Sequence, residues 1–118
     1  MSQQGKYPTA GRAFLARAIE EMAQGDLAQA SEKGWGAAAQ MVKAVAEKRG
    51  WPHDGHAALF QAVRQLADET GDNQVVRLFH IANSLHVNFY ENWIPARSVQ
   101  EGLAAIQEFV EKLEDALR

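Results

Sequence analysis

Residues 30–51 read ASEKGWGAAAQMVKAVAEKRGW, and this stretch predicts a long helix that packs closely against its neighbours. With the residues just before it, it carries one stripe of small and apolar side chains at helical spacing, namely Leu27, Ala30, Gly34, Ala38, Met41 and Val45. Glycine inside a helix costs about 1 kcal/mol relative to alanine. Gly34 lies on the stripe, so we expect another helix to approach its backbone. Gly36 lies on the opposite side, where we expect a subunit interface or a groove.

Both ends of this helix are marked in the sequence. Asp26 precedes it as a candidate N-cap, and Gln29 occupies the reciprocal position of a capping box. Gly50 and Pro52 follow its last apolar residue and predict its end.

Four other segments have apolar residues at helical spacing and predict one helix each. Together with the helix described above, which is the second along the chain, they make five. The apolar faces are Phe14, Leu15, Ala18, Ile19 and Met22 in the first helix; Leu59, Val63 and Leu66 in the third; Val75, Leu78, Phe79, Ala82, Leu85 and Phe89 in the fourth; and Val99, Leu103, Ile106, Val110, Leu113 and Leu117 in the fifth. Asp54 is expected to cap the first helix after Pro52, and Ser98 with Glu101 forms a capping box for the last. The last stripe, with its heptad-like spacing, suits either the core or a partner subunit.

No segment alternates with the period of two that a half-buried strand requires, so we expect no sheet. Helices joined by short connections predict an all-α fold, a four- to five-helix up-and-down antiparallel bundle. At 118 residues the chain forms one domain, 1–118, with residues 1–8 expected to be a flexible N-terminus.

Composition excludes several classes of protein. The chain has no cysteine, which removes disulfides and thiolate sites. It has no apolar run long enough to cross a membrane and no signal-peptide pattern at its start, so we expect a cytoplasmic protein without a membrane partner. A net charge of -3 argues against a general nucleic-acid coat but permits a local basic patch.

Polar residues concentrate in two clusters, and these supply most of the candidate ligand-binding residues. The first cluster surrounds KRGWPHDGH, residues 48–56, and the second surrounds SLHVNFYENW, residues 84–93. In an antiparallel bundle the end of the fourth helix returns to the loop after the second helix, so we expect the two clusters to converge. The candidates are Lys33, Trp35, Lys43, Lys48, His53, His56, Asn83, Tyr90 and Glu91.

The chemistry of these clusters points to nucleotide or RNA more than to a metal. The histidines lack HExxH or Glu-x-x-His spacing, so we expect no metal site and no cofactor. A histidine beside a cation can act as general acid or base on RNA, and the candidate catalytic residues are His86, Arg49 and Asn88. The alternative is that these polar residues only complete the fold.

Three motifs together resemble the PaREP-type family, which we place as a branch of the HEPN superfamily. They are ASEK-x-WGA at 30–37, RGW-x-H-x-x-H at 49–56 and H-x-NFYE at 86–91, and the resemblance spans residues 13–117. It implies a HEPN-like bundle, usually a homodimer. HEPN relatives include toxin ribonucleases, partners of small nucleotidyltransferases, and domains thought to bind nucleotides or RNA.

The sequence departs from the HEPN ribonuclease motif, in which a histidine follows an arginine by four to six residues on one helix. Arg77 lies too close to His80 and too far from His86. Between Arg49 and His56 a predicted helix end intervenes. We therefore expect a dimeric domain that binds nucleotide or RNA. The alternatives are a metal-independent ribonuclease with a diverged site, and a structural or scaffold protein.

Overall fold

The computed structural model describes residues 5–118, and five helices account for most of them. They are α1 (Lys6–Ala23), α2 (Leu27–Arg49), α3 (His56–Thr70), α4 (Gln74–Glu91) and α5 (Ala96–Ala116), and no strand is present in this range. The predicted all-α fold is confirmed. None of these helices is both long enough and apolar enough to cross a membrane.

Local signals for α2 are confirmed at both ends. The Asp26 carboxylate accepts a hydrogen bond from the Gln29 N–H at 3.1 Å, as an N-cap does. Gln29 does not complete the capping box, because its side-chain oxygen accepts from Lys33 Nζ at 2.9 Å. Gly50 ends the helix in the left-handed conformation with φ 74°, which a glycine adopts without strain.

Three other predictions of helix starts are wrong. The N-cap of α3 is Gly55, which has no side chain, and Asp54 precedes it. Helix α5 begins just after Pro95, so Ser98 and Glu101 lie inside it; proline favours an early start because it fixes φ and needs no N–H partner. Helix α1 begins at Lys6, so residues 6–8 of the segment expected to be flexible are helical, and residues 1–4 lie outside the described range.

Helix α2 lies at the centre and contacts each of the other four helices. Helix α1 runs antiparallel to it, since Gly11 of α1 approaches Met41 while Phe14 lies over Gly36. Helix α4 also runs antiparallel to α2, because Asn88 near its end bonds Ser31 near the start of α2.

Helix α3 departs from the predicted antiparallel order, because it runs in the same sense as α2. Its first residue, His56, stacks on Trp35 in the first half of α2, and Glu69 in its last turn pairs with Arg49 at the end of α2. The connection of residues 50–55 spans at most about 20 Å, and α2 rises about 21 Å from Trp35 to Arg49. The connection is thus long enough, with the reach of the two side chains, to bring the chain back before α3 begins.

Close packing around α2 explains both of its inner glycines. A Cβ atom at Gly34 would lie 2.7 Å from Leu103 Cδ2 and 3.3 Å from Leu85 Cδ1, which confirms the predicted close approach. At Gly36 a Cβ atom would lie 3.3 Å from the Phe14 ring of α1. The expectation of a groove or subunit interface at Gly36 is therefore wrong, because a ring of the same chain covers it.

The apolar stripe of α5 is buried within the chain. Val99, Ile106, Val110 and Leu113 are inaccessible to solvent, and Leu103 is nearly so. This stripe packs into the core and is not available to a partner subunit.

Candidate functional site

Four rings and one carboxylate gather where α2, the start of α3 and the end of α4 meet. We call this group, which consists of Glu32, Trp35, His56, His86 and Tyr90, the imidazole cluster. The Trp35 ring stacks on His56, with centroids 4.8 Å apart and planes 12° apart. The His86 ring lies 5.0 Å from both Trp35 and His56. The two imidazoles thus share one indole as a common support.

Trp35 is held in place from the core side. Only 7% of the residue is exposed, and its ring lies 5.4 Å from that of Phe79, an inaccessible residue of α4. The indole is therefore fixed by packing, and the imidazoles of His56 and His86 rest on a rigid surface.

Glu32 fixes the orientation of His86 across the α2–α4 contact. His86 Nδ1 lies 3.1 Å from Glu32 Oε1, and about a quarter of the His86 side chain is exposed. An ionised carboxylate can only accept, so Nδ1 must carry the hydrogen in this bond. In the neutral ring the other nitrogen, Nε2, is then an unprotonated acceptor. A base oriented by a carboxylate is an arrangement that acid–base sites use.

The outer part of the cluster is open to solvent. Tyr90 is 70% exposed and meets the His86 ring edge-on, with centroids 5.6 Å apart and planes 85° apart. His56 is also exposed. An exposed aromatic ring beside an imidazole on a fixed support can stack against a planar ligand.

The expected convergence of the two polar clusters occurs only in part, because α3 does not run antiparallel to α2. His56 does meet His86, but Lys48 and Arg49 lie at the far end of α2. There Lys48 donates to the backbone oxygen of Leu117 at the end of α5.

Arg49 is occupied by an ion pair at that far end. Its Nη2 lies 2.6 Å from Glu69 Oε2, its Nε lies 2.9 Å from Oε1, and Nη2 also donates to the backbone oxygen of Ala116 at 3.2 Å. The hydrogen bond from Arg49 holds the pKa of the Glu69 carboxyl below its usual value. This arginine joins three helix ends and does not approach His86.

Asn88, expected to be catalytic, is a structural residue. It is inaccessible to solvent, and its Oδ1 accepts from the N–H groups of Trp93 and Ile94, each at 2.9 Å. Its Nδ2 donates to Ser31 Oγ at 3.0 Å. Both polar atoms of this side chain are engaged inside the protein, so Asn88 is not exposed to a ligand.

The other candidates lie outside the cluster or at its margin. His53 Nδ1 lies 2.9 Å from the backbone oxygen of Trp51, and its ring meets that of Tyr7 in α1. Lys33 donates to Gln29 on its own helix. Among the described residues, no hydrogen bond or ion pair connects Lys43, Asn83 or Glu91 to another side chain.

Within residues 5–118 no group of three or more His, Cys, Asp or Glu side chains is placed to hold a metal ion. Glu32 is the only residue of the imidazole cluster that carries a full charge when the histidines are neutral. The site therefore offers a carboxylate and ring surfaces, and the lysine and arginine that a phosphate would favour are held elsewhere.

Sequence reasoning missed Glu32 as the partner of His86. The two residues are 54 positions apart, and no motif spacing connects them. The sequence offered one signal for Glu32: it lies on α2 one turn before Gly36, on the side away from the apolar stripe. Only the packing of α4 on α2 brings it to the imidazole.

Comparison with known proteins places this fold in a family. A crystal structure of a protein from Sulfolobus solfataricus matches with a TM-score of 0.83 over 92% of this chain and 97% of that chain, at 22% sequence identity. That likeness shows the shared fold. No curated protein matches the chain. Residues 7–110 match the archaeal PaREP1/PaREP8 family, a range that leaves out only the two ends. The chain therefore belongs to the archaeal PaREP1/PaREP8 family.

Proposed function

We propose that this protein binds a nucleotide or single-stranded RNA through its base, at the imidazole cluster. The observation that carries the proposal is the open ring surface of Tyr90 and His56 beside His86, supported from below by the packed Trp35. Stacking of a base on an aromatic side chain contributes about 1–3 kcal/mol. Two such contacts with one hydrogen bond must offset the loss of freedom on association, so we expect a weak complex.

Charge at the site makes this mode of binding differ from phosphate recognition. Glu32 is part of the cluster, while Lys48 and Arg49 are engaged at the other end of α2. When a protein binds Z phosphates of a single strand, the logarithm of its binding constant falls with the logarithm of the salt concentration at a slope of about −0.7Z. A ligand held by its base gives a slope near zero.

The test is fluorescence anisotropy with labelled RNA hexamers, measured at several salt concentrations. We expect binding with little salt dependence, and we expect Tyr90→Ala to weaken it about tenfold, which corresponds to the loss of one stacking contact. Tyr90→Phe keeps the ring and should bind like the unchanged protein. His80→Ala, an exposed histidine on the same helix, is the matched control for His86→Ala.

Two results would refute base binding. One is the absence of any hexamer binding by protein whose helical circular dichroism is intact. The other is binding with a steep salt slope that Tyr90→Ala leaves unchanged, because that result would place the RNA on a basic surface elsewhere.

Cleavage of RNA is a second candidate, and the Glu32–His86 pair favours it. A carboxylate that orients an imidazole prepares it as a general base without a metal. A ribonuclease of this kind loses its activity in His86→Ala and retains it in His80→Ala. An RNA whose cleavage rate is equal in both variants would eliminate His86 as the base.

A HEPN-type homodimer is a further proposal, and the position of the exposed apolar side chains supports it. Among the described residues, four of the five large exposed hydrophobic side chains lie on α4 or just after it, and three of these, Val87, Tyr90 and Trp93, lie close together at its C-terminal end. Clustered exposed apolar residues are typical of interaction surfaces. Light scattering tests the dimer, and Val87→Glu should shift a dimer to monomer, whereas a monomeric unchanged protein would refute it.

A further inference from the structure

We infer that Glu32 determines which ligands the site accepts, by making His86 a hydrogen-bond acceptor. The inference rests on the proposed function, and it assigns the contact to Nε2: a donor of the bound base, such as the exocyclic amino group of adenine or cytosine, bonds this nitrogen. Glu32 is a positioning residue in this account, because it acts through His86.

The hydrogen bond between Glu32 and His86 determines where the imidazole carries its hydrogen. A neutral imidazole carries one hydrogen, on either Nδ1 or Nε2, and the partner of one nitrogen decides which. Glu32 Oε1 lies 3.1 Å from Nδ1 and can only accept. The hydrogen is therefore on Nδ1, and Nε2 has a free lone pair.

Nε2 is accessible to a ligand. Among the described residues Nδ1 is the only ring nitrogen of His86 with a hydrogen-bond partner. No buried side-chain nitrogen or oxygen in this range lacks a partner. His86 is only partly buried, so an unpartnered Nε2 must be in contact with solvent.

The indole nitrogen of Trp35 is accessible as well. Its Nε1–H has no partner among the described residues, yet it is not a buried unsatisfied group, so it also touches solvent. The cluster thus presents one acceptor, on His86, and one donor, on Trp35, from rings 5.0 Å apart. Adenine carries a partner for each, an amino group that donates and a ring nitrogen that accepts.

Two nucleosides that differ only in the amino group, adenosine and purine riboside, test the contribution of this donor to binding. Purine riboside has the ring nitrogens and the sugar of adenosine but lacks the amino group. Since one net hydrogen bond corresponds to about a fivefold difference in affinity, we expect adenosine to bind about fivefold more tightly. Nitrogen-15 NMR of the His86 ring, at pH about 8 where imidazoles are generally neutral, measures both the tautomer and each titration in one spectrum.

Variants of Glu32 connect the preference to the carboxylate. Glu32→Ala should return the His86 ring to a mixture with hydrogen on Nε2 and abolish the preference for adenosine. Glu47→Ala is the matched control, because it removes an exposed carboxylate from the same helix without touching the cluster. It should leave both the ring spectrum and the fivefold preference unchanged.

The possible outcomes separate this inference from the proposed function. A free protein with hydrogen on Nε2 of His86 overturns the inference. Equal binding of adenosine and purine riboside also overturns it, while base binding itself stands. If neither nucleoside shifts the His86 signals at millimolar concentration, base binding at this site fails and the inference fails with it. If Glu32→Ala still binds adenosine more tightly than purine riboside, another residue causes the preference and the role of Glu32 is refuted.

Discussion

Replacing Asn88 by alanine should destabilise the protein strongly without any direct effect on the ligand. The side chain is inaccessible and makes three hydrogen bonds, to the N–H groups of Trp93 and Ile94 and to Ser31 Oγ. Each such bond contributes about 1 kcal/mol net, and more when its loss leaves a buried partner unsatisfied. The three together predict a loss of about 3 kcal/mol.

A control on the same helix removes the effect of helix propensity. Alanine favours a helix over asparagine by several tenths of a kcal/mol, and this gain is common to Asn88→Ala and Asn83→Ala. Asn83 is half-buried and makes none of these bonds. The difference between the two variants therefore measures the loss of the buried side chain with its hydrogen bonds, and we expect Asn88→Ala to be less stable by about 3 kcal/mol.

Guanidinium denaturation followed by circular dichroism gives the free energies of unfolding, and a thermal melt should show a midpoint about 12 °C lower for Asn88→Ala than for Asn83→Ala. A difference below about 1 kcal/mol would refute the structural role of Asn88. A variant with full stability but no ligand binding would restore Asn88 to the binding site.

Three other changes test separate parts of the fold. Gly36→Leu should displace the Phe14 ring and lower the thermal midpoint of the protein even at a dilution where it is monomeric; an unchanged melt would mean that nothing packs over Gly36. Lys112→Met removes the partner that, mainly by its hydrogen bond, holds the pKa of Asp72 below its usual value. Because that pKa is lower in the folded state, the pair stabilises the protein at pH values above about 4 and ceases to do so as pH falls through the lowered pKa of Asp72. At pH 7 the variant should therefore be less stable than the unchanged protein by less than about 1 kcal/mol, and near pH 2 the two proteins should be equally stable, as measured by chemical denaturation. The same difference in free energy of unfolding at both pH values would contradict the role of the Lys112–Asp72 pair. Arg49→Ala should lower stability through the lost pair with Glu69 but leave hexamer affinity unchanged, and a large loss of affinity at intact stability would show that Arg49 binds RNA after all.

Features that depend on one helix were predictable from the sequence, because helix period and end signals are local. The stripe containing Gly34 and the ends of α2 at Asp26 and Gly50 follow from residues a few positions apart. The failures at Asp54 and Ser98 are also local. There, a capping residue was present but a nearby glycine or proline began the helix instead.

The candidate site was less predictable, because it depends on helix direction. Nothing local specifies that residues 50–55 return along α2, and that return separates Lys48 from His56. The pairing of Glu32 with His86 requires both the direction of α4 and its rotation. The polar composition of the two clusters was enough to identify His56, His86 and Tyr90 as candidates. It could not predict that both imidazoles pack on the Trp35 ring.

The way α3 joins the bundle has a consequence for motion. Among the five described helices α3 is the least packed, and its backbone comes close only to α2 and α4. Segments with little packing open most easily in native-state hydrogen exchange. Amide protons of α3 should therefore exchange faster than those of α2, and His56 in its first turn makes the ligand surface complete only while α3 is docked. A base stacked on His56 would then slow amide hydrogen exchange throughout α3. One weak contact would thus be detected as slower exchange along an entire helix.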